Sequence, residues 1–589
     1  MSKTYWQKIA ALAAALMMLC GTMTACGPDN EPETNPYSSA VEVGSEAELT
    51  AVRDNLIKAT ETKGLGDIEK MEFYENGART ASDQYVQVKD NKKIYWSGDI
   101  KRVVNYPDGY MLDIPQDWKP DYSLSTLRSR YDTEEVTLIA SRENGMIGGW
   151  YKNAEEYLDA TYVHVSDKGW QTENRVTELS AREVKDFGDG WKIHTYRVKL
   201  DDCPEGVKCY YTYVDIYDEV KEAYHLMFKA VDDRDFSSVY NSFVYFYDKG
   251  SAVDTVLYPC EKNPNWCDET AAYYEDARQR TTVDWGIFSA NLQSNGWKVT
   301  IPIIEKKIDY KFPIISEYRH FSLGNKPHDF PTEFCDKVEA DGRMMQMTYQ
   351  YTANNNSNLN GYSPSLDIYR RDEKAMQILR DFATGAAEFD RPFFFRLNNE
   401  MSTNWTSYCA LCNMLDPDIF IDTWIALYDL FTETGANEYA MWVFNSQDKS
   451  FPPMKWANYR NYMPQANYID WIGLTAYNFG DDANWSSFES LYDYVNQEYQ
   501  QYYSEWPWII SEFGCSDASE AEENEGRKAQ WITDMFTVLN DGKYPNIKVA
   551  VWFNANDYDN AGNIVHEIVL QTDQQALKAF KDGLKLTQP

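Results

Sequence analysis

The sequence predicts an α/β protein: a C-terminal (β/α)₈ barrel preceded by a smaller α+β domain with an antiparallel sheet. Three observations predict it. The chain has 589 residues, too many for one ordinary core, and 43% of them are hydrophobic, enough to fill two. From about residue 280 short apolar segments alternate with helical stretches to the end, the pattern of repeated βα units. Between residues 45 and 255 the texture is short runs rich in Val, Ile, Tyr and Thr, separated by turn clusters, as antiparallel strands require. The expected division is a signal segment over 1–25, a polar tether over 26–44, the α+β domain over 45–255, a linker over 256–279 and the barrel over 280–589.

Lys3 and Lys8 precede an apolar stretch, 9–19, that is too short to be read as a membrane span. Met23-Thr24-Ala25-Cys26-Gly27 follows and resembles a bacterial lipoprotein signal. The resemblance implies that Cys26 is lipidated and that the chain is exported to the bacterial cell surface, held to the membrane by that lipid. The Pro-rich polar stretch after it suits a tether. Cys203 and Cys209 flank a predicted hairpin turn, and Cys260 and Cys267 are a second close pair; both suit disulfides in an exported protein. Cys409-Ala410-Leu411-Cys412 reads as helix packing or a local bridge.

A formal net charge of −36 argues against a nucleic-acid partner, because phosphate binding needs a basic footprint. It suits a neutral ligand, or solubility alone. Aromatic residues make up 15% of the chain; such faces stack on sugar rings but also fill cores.

In the first domain, Ser45 and Glu48 form a capping box before Leu49, Val52 and Leu56. Strands are expected at 85–88, 110–114, 136–141, 191–200, 209–216 and 223–230, with hairpins near 204–206 and 218–222. Residues 235–246 read as a closing helix, with Phe236, Val239, Tyr240 and Phe243 on one face. The Y-M-L-D-I-P-Q-D-W-K start and F-S-S-V-Y-N-S-F end faintly resemble PsbP-like sheet-plus-helix domains, which implies no activity. The domain could bind glycan or cell wall, or act as a spacer.

In the second domain, strands are expected at 284–289, 313–317, 344–351, 393–397, 440–445, 471–477, 508–513 and 549–554. Helices are expected at 372–388, 418–435, 485–500, 519–540 and 573–584. In such a barrel, catalytic groups sit at the C-terminal ends of the strands. The fourth strand ends in Asn399 and Glu400, the sixth in Tyr477, the seventh in Glu512 and the eighth at Trp552. Two carboxylates across a barrel mouth suit glycosidic cleavage: one protonates the leaving oxygen and the other attacks the anomeric carbon, and in a retaining pair the two carboxyl groups stand about 5–5.5 Å apart. Taken singly, Glu400 could equally be a carboxylate tied to Arg396. Trp285, Tyr349, Tyr351, Phe444, Trp456 and Tyr558 suit core or rim packing better than sugar platforms. Phe451-Pro452-Pro453 and 556–559 read as mouth loops.

Three segments carry a family resemblance over residues 280–587. They are Arg396-Leu397-Asn398-Asn399-Glu400-Met401 with Trp405; Asp470-Trp471-Ile472-Gly473-Leu474 leading to Tyr477; and Ile510-Ser511-Glu512-Phe513-Gly514. Together they resemble glycoside hydrolase family 26, retaining glycosidases built on a (β/α)₈ barrel. The resemblance implies Glu400 as general acid/base, Glu512 as nucleophile, Tyr477 positioning the nucleophile, Arg396 supporting the site from below, and Trp405 and Trp552 as sugar-stacking surfaces. It implies action on a β-linked polysaccharide, β-1,4-mannan first, with mixed-linkage β-glucan and β-xylan open; the two-carboxylate chemistry needs no cofactor and no metal, none of His320, His328 and His566 makes an H-x-x-x-H pattern, and a monomer is expected. Two positions depart from the family: Asn399 stands where His is usual, and Thr475 where an acidic residue is frequent. Asn399 keeps a donor for a sugar 2-hydroxyl. The rivals are a catalytically inactive surface glycan-binding lipoprotein and a transglycosylase of the cell envelope.

Overall fold

The computed structural model describes residues 58–78, 85–124, 127–143, 150–219, 222–246, 255–321, 329–353, 361–479, 485–516, 526–559 and 561–587. The signal segment, Cys26, the tether and the capping box at Ser45 lie outside them.

The C-terminal half is a closed barrel of eight parallel strands. They are β1 (Asp284–Ser289), β2 (Ile314–His320), β3 (Met344–Gln350), β4 (Phe393–Leu397), β5 (Ala440–Gln447), β6 (Trp471–Asn478), β7 (Trp508–Cys515) and β8 (Ile547–Asn554). β8 closes on β1, with Val551 opposite Gly286. Ile314, Phe394, Met441, Val443, Ile509, Val549 and Val551 fill the interior. Their strand neighbours face the helices instead, as the two-residue period dictates. Gly473 in β6 is required by this closure: a Cβ there would stand 2.7 Å from Val443 and 2.8 Å from Asn445.

Every predicted barrel strand is present, and β2, β5, β6 and β7 run further at the C-terminal end. The helices form where apolar stripes and caps coincide. Glu373–Phe389 starts at Asp372, whose carboxylate accepts from the backbone N–H of Lys374 and Ala375, and buries Ile378, Leu379, Phe382 and Phe389. Pro417–Thr434 has proline in its first turn and ends at Gly435 with φ 87°, the left-handed cap that glycine takes without strain.

The span expected to be a linker is structured. Asp268–Gln279 is a helix that plugs the N-terminal end of the barrel. Trp266 donates from its indole to the Ala440 carbonyl at 2.9 Å, and Tyr274 packs edge-on against Trp471. This placement explains a corrected disulfide. Cys203–Cys209 is bridged, but Cys260 and Cys267 are not. The insertion of Trp266 and the helix start at Asp268 hold them apart, with Cys260 Sγ beside the Tyr274 hydroxyl and Cys267 Sγ beside Thr270. Cys409 and Cys412 are buried and unbridged, so this pair serves packing.

The first domain holds two antiparallel sheets rather than one. The larger runs in the order Lys119–Asp121, Ser129–Asp132, Val136–Glu143, Ala223–Ala230, Tyr210–Tyr217, Trp191–Leu200, Val176–Gly188. On one face Leu138, Val214, Leu226 and Phe228 pack on Val103, Tyr110 and Leu112 of the second sheet. On the other, Ile139, Tyr211, Tyr213 and Met227 join the core of the barrel half. Residues 235–246 are not one helix. Only Ser237–Tyr240 is helical, and Val244–Tyr245 pairs with Tyr110 and Met111. The Ser242 hydroxyl donates to the Val239 carbonyl and accepts from Asp113 N, which ends the helix and ties it to the strand.

The two halves are joined by buried charge. Lys229 donates to Asp416 at 2.8 Å and to Asp418 at 2.7 Å, and Arg128 and Arg130 also pair with Asp418. Tyr213 donates to the Met414 carbonyl at 2.7 Å. Residues 414–416 end the loop that follows β4 and Asp418 lies in the first turn of the helix after it, so the first domain grips the loop that carries Glu400 at its far end.

Candidate active site

β4 alternates strictly. Phe393 and Phe395 face the helices, while Phe394 and Arg396 point inward. Arg396 has no exposed surface. Its Nε donates to Thr348 at 2.8 Å, Nη1 to Asn445 at 3.3 Å, and Nη2 to Glu512 at 3.0 Å and to the Tyr318 hydroxyl. A buried guanidinium satisfied this way is a fixed positive floor.

Past β4 the backbone turns through two left-handed residues, Asn398 (φ 48°) and Glu400 (φ 58°). Non-glycine residues there are strained, and the surroundings must hold them. Asn398 N donates to the Tyr349 carbonyl at 2.8 Å, Tyr351 N donates to Asn398 Oδ1 at 2.6 Å, and Glu400 N donates to the Asn445 carbonyl at 3.0 Å. The turn brings Glu400 to Trp405, whose indole donates to Glu400 Oε2 at 3.0 Å. Burial, then the charge of Glu512, pushes the Glu400 carboxyl up to about 8, against smaller opposing effects of Trp405 and Arg396; Asp448 adds to the rise.

Glu512 has the opposite environment. Tyr477 donates to Oε1 at 2.6 Å, while Tyr318 and Arg396 donate to Oε2. Three donors, one of them a cation, fix both oxygens, and only 9% of the residue is exposed. The mouth thus pairs a carboxyl that burial and a neighbouring charge favour in its protonated form with one whose two oxygens are tied down by donors.

Asn399 Oδ1 accepts from Gln350 at 2.8 Å, which turns the amide NH₂ the other way. Thr475 is buried and accepts from Asn445 at 3.1 Å, inside the network that also holds Arg396. Trp405 is 36% exposed at the mouth. Trp552 is not at the mouth. It is fully buried on the helix side of β8, against Phe513, Trp531 and Phe580. Its neighbour Phe553 faces inward in its place, stacked on Phe288 at 4.5 Å and edge-on to Tyr477 at 5.9 Å. Trp285, Tyr349, Tyr351, Phe444 and Trp456 are buried, and Tyr558 is exposed at the rim.

Sequence reasoning missed Tyr318 and Phe553. β2 was expected to stop at Glu317; the signal that it continues is the inward set Ile314, Ser316, Tyr318.

No family model matches the chain. A curated relative, Endoglucanase H of Acetivibrio thermocellus, is 24% identical over 283 residues, which is 46% of this chain and 29% of that protein. The match thus spans less than a third of the relative's length. Solved structures that resemble the chain include Bacillus subtilis mannanase man26, at 17% identity and TM-score 0.37, covering 54% of this chain and 93% of that one. Another is the catalytic domain of the GH26 endo-β-1,4-mannanase of Bacillus sp. JAMB-750, at 13% identity and TM-score 0.40, covering 56% and 92%.

Proposed function

We propose that the chain is a retaining, endo-acting glycoside hydrolase that cleaves a β-linked polysaccharide by double displacement. The observation that carries the reading is the pair of opposed carboxyl environments, with Glu400 pushed up to about 8 and Glu512 held by Arg396, Tyr318 and Tyr477. In the first step a Glu512 oxygen bonds to the anomeric carbon while the glycosidic C–O bond breaks, and the Glu400 proton passes to the leaving oxygen. Esterified Glu512 no longer carries charge, which removes the second cause of the raised Glu400 carboxyl. Glu400 then takes a proton from water, whose oxygen displaces Glu512 and restores it as a carboxylate. Two inversions return the starting anomer.

The motif resemblance favours β-1,4-mannan. The relative bearing the name endoglucanase favours a glucan reading, and β-xylan is the third polymer to try. Asn399 would donate to the 2-hydroxyl of the sugar at the cleavage point. Export and lipid anchoring through Cys26 belong to the same proposal, and would place the enzyme where polymer is met outside the cell.

Incubating the protein with mannan, mixed-linkage β-glucan and xylan, beside Glu400→Gln and Glu512→Ala, tests the reading. Turnover that survives in Glu512→Ala, or a product of inverted anomeric configuration by NMR, overturns it. Tight binding with no turnover of any polymer would instead favour a surface glycan-binding protein.

A further inference from the structure

The aromatic residues at the mouth fall into two groups. Tyr477, Phe479 and Phe553 gather at the nucleophile: Phe479 stacks on Tyr477 at 5.2 Å, and Phe553 stands edge-on to it. The other group starts at the acid and leads away from it. Trp405 bonds Glu400, Phe451 lies 6.3 Å from Trp405, and Trp150 lies 6.3 Å from Phe451, edge-on at 88°. Trp405 and Phe451 come from barrel loops, but Trp150 comes from the first domain. None of the three is buried: Trp405 is 36% exposed and the other two are half-buried.

The loop that carries Phe451 is held from both halves of the chain. Phe451 N donates to the Ser402 carbonyl at 2.7 Å, two residues past Glu400. Further along the same loop, the Glu143 carboxylate, at the end of a first-domain strand, accepts from Lys455 N at 2.7 Å and Trp456 N at 3.2 Å. Glu143 is itself held by Ser141 at 2.7 Å, and His225 of the same sheet packs on Trp456 at 5.6 Å. The loop is therefore clamped from the first-domain side close to the point where Trp150 meets it.

We propose that the first domain completes the substrate cleft: Trp150, with Phe451 and Trp405, forms a row of aromatic faces that binds the leaving-group side of a β-linked sugar chain. The inference rests on the glycosidase reading of Glu400 and Glu512. The acid touches the leaving oxygen, so a row that starts at the acid, and shares no residue with the rings gathered at Glu512, follows the sugars on that side. Pyranose rings present apolar C–H faces that stack on such side chains, and aromatic rings give large, rigid contact area at low entropic cost.

The test uses the full chain and compares kcat/KM on the polymer the wild type cleaves best with kcat/KM on an aryl glycoside whose leaving group is a single phenol. Trp150→Leu, which keeps apolar bulk but loses the flat face, should lower the polymer-to-aryl ratio about five- to tenfold through KM, the range for one aromatic contact, and Trp150→Phe should restore most of it. A ratio unchanged in Trp150→Leu, with the melting temperature of the wild type, overturns the proposal. If the wild type turns over neither substrate, the glycosidase reading fails by itself. Calorimetric titration with β-1,4-mannan and β-1,3-1,4-glucan then decides this inference: a Kd weakened about five- to tenfold by Trp150→Leu supports it, and an unchanged Kd, or no binding by the wild type, overturns it.

Discussion

The barrel and the larger sheet of the first domain both bury their strands on two faces, but for different purposes. In the barrel one face meets a ring of helices and the other a closed interior, so the strand ends are left free to carry Glu400, Glu512 and Arg396. In the first domain one face meets a second sheet and the other the loops of the barrel half. There the faces themselves do the joining: Lys229, Tyr211 and Tyr213 reach Asp416 and Met414 from within strands. A parallel barrel presents chemistry at its rim, whereas an antiparallel sheet wedged between two layers presents anchoring across its face.

Changes at the rim should abolish chemistry while leaving the fold. Glu512→Ala is expected to lower kcat on the order of 10⁴-fold at unchanged melting temperature, since the attacking group is gone. Added azide should restore turnover by forming a glycosyl azide of the opposite anomeric configuration. Glu400→Gln removes the transferable proton and should cost about 10²- to 10⁴-fold on substrates with poor leaving groups, and far less on activated aryl glycosides. In the wild type the acid is required protonated, so kcat/KM should hold below about 8 and fall as pH rises through it. Glu400→Gln should lose that alkaline limb, and a limb that persists would assign it to another group.

Changes at the joining face should do the reverse. Burial alone would lower the Lys229 pKa, but Asp416 and Asp418 outweigh it and raise it, so the amine is charged in the fold. Lys229→Ala leaves Asp416 without its cation and should destabilise by about 3–5 kcal/mol, measured by denaturant unfolding. The smallest contrast lies within one strand. Trp552→Ala should destabilise by about 3–5 kcal/mol through a cavity under the helices. Phe553→Ala should mainly raise KM, and equal effects of the two on KM would contradict the assigned faces of β8.

The barrel was legible because its strands are apolar runs broken by polar residues, and a buried strand tolerates Arg396, Asn399 and Glu400 at its end only where they bond or react. Less was legible where both faces of a strand are apolar. In Ile547–Asn554 the alternation of Val549, Val551 and Phe553 with Ala550 and Trp552 is plain, but nothing local says which set faces inward, and Trp552 was assigned to the wrong side. Cys260 and Cys267 have the spacing of a bridge. Only Trp266, driven into the barrel floor between them, shows why none forms.

By itself the sequence determined the succession of strands and helices, the closed barrel they imply, and two glutamates at the ends of β4 and β7, because periodicity and misplaced polarity are local properties of the chain. The tertiary structure decided that Tyr318 holds Glu512, that Phe553 rather than Trp552 lines the mouth, and that the first domain clamps the loops around Glu400. Each of those depends on contacts between segments far apart in sequence, where the free energy of a pairing belongs to neither partner alone.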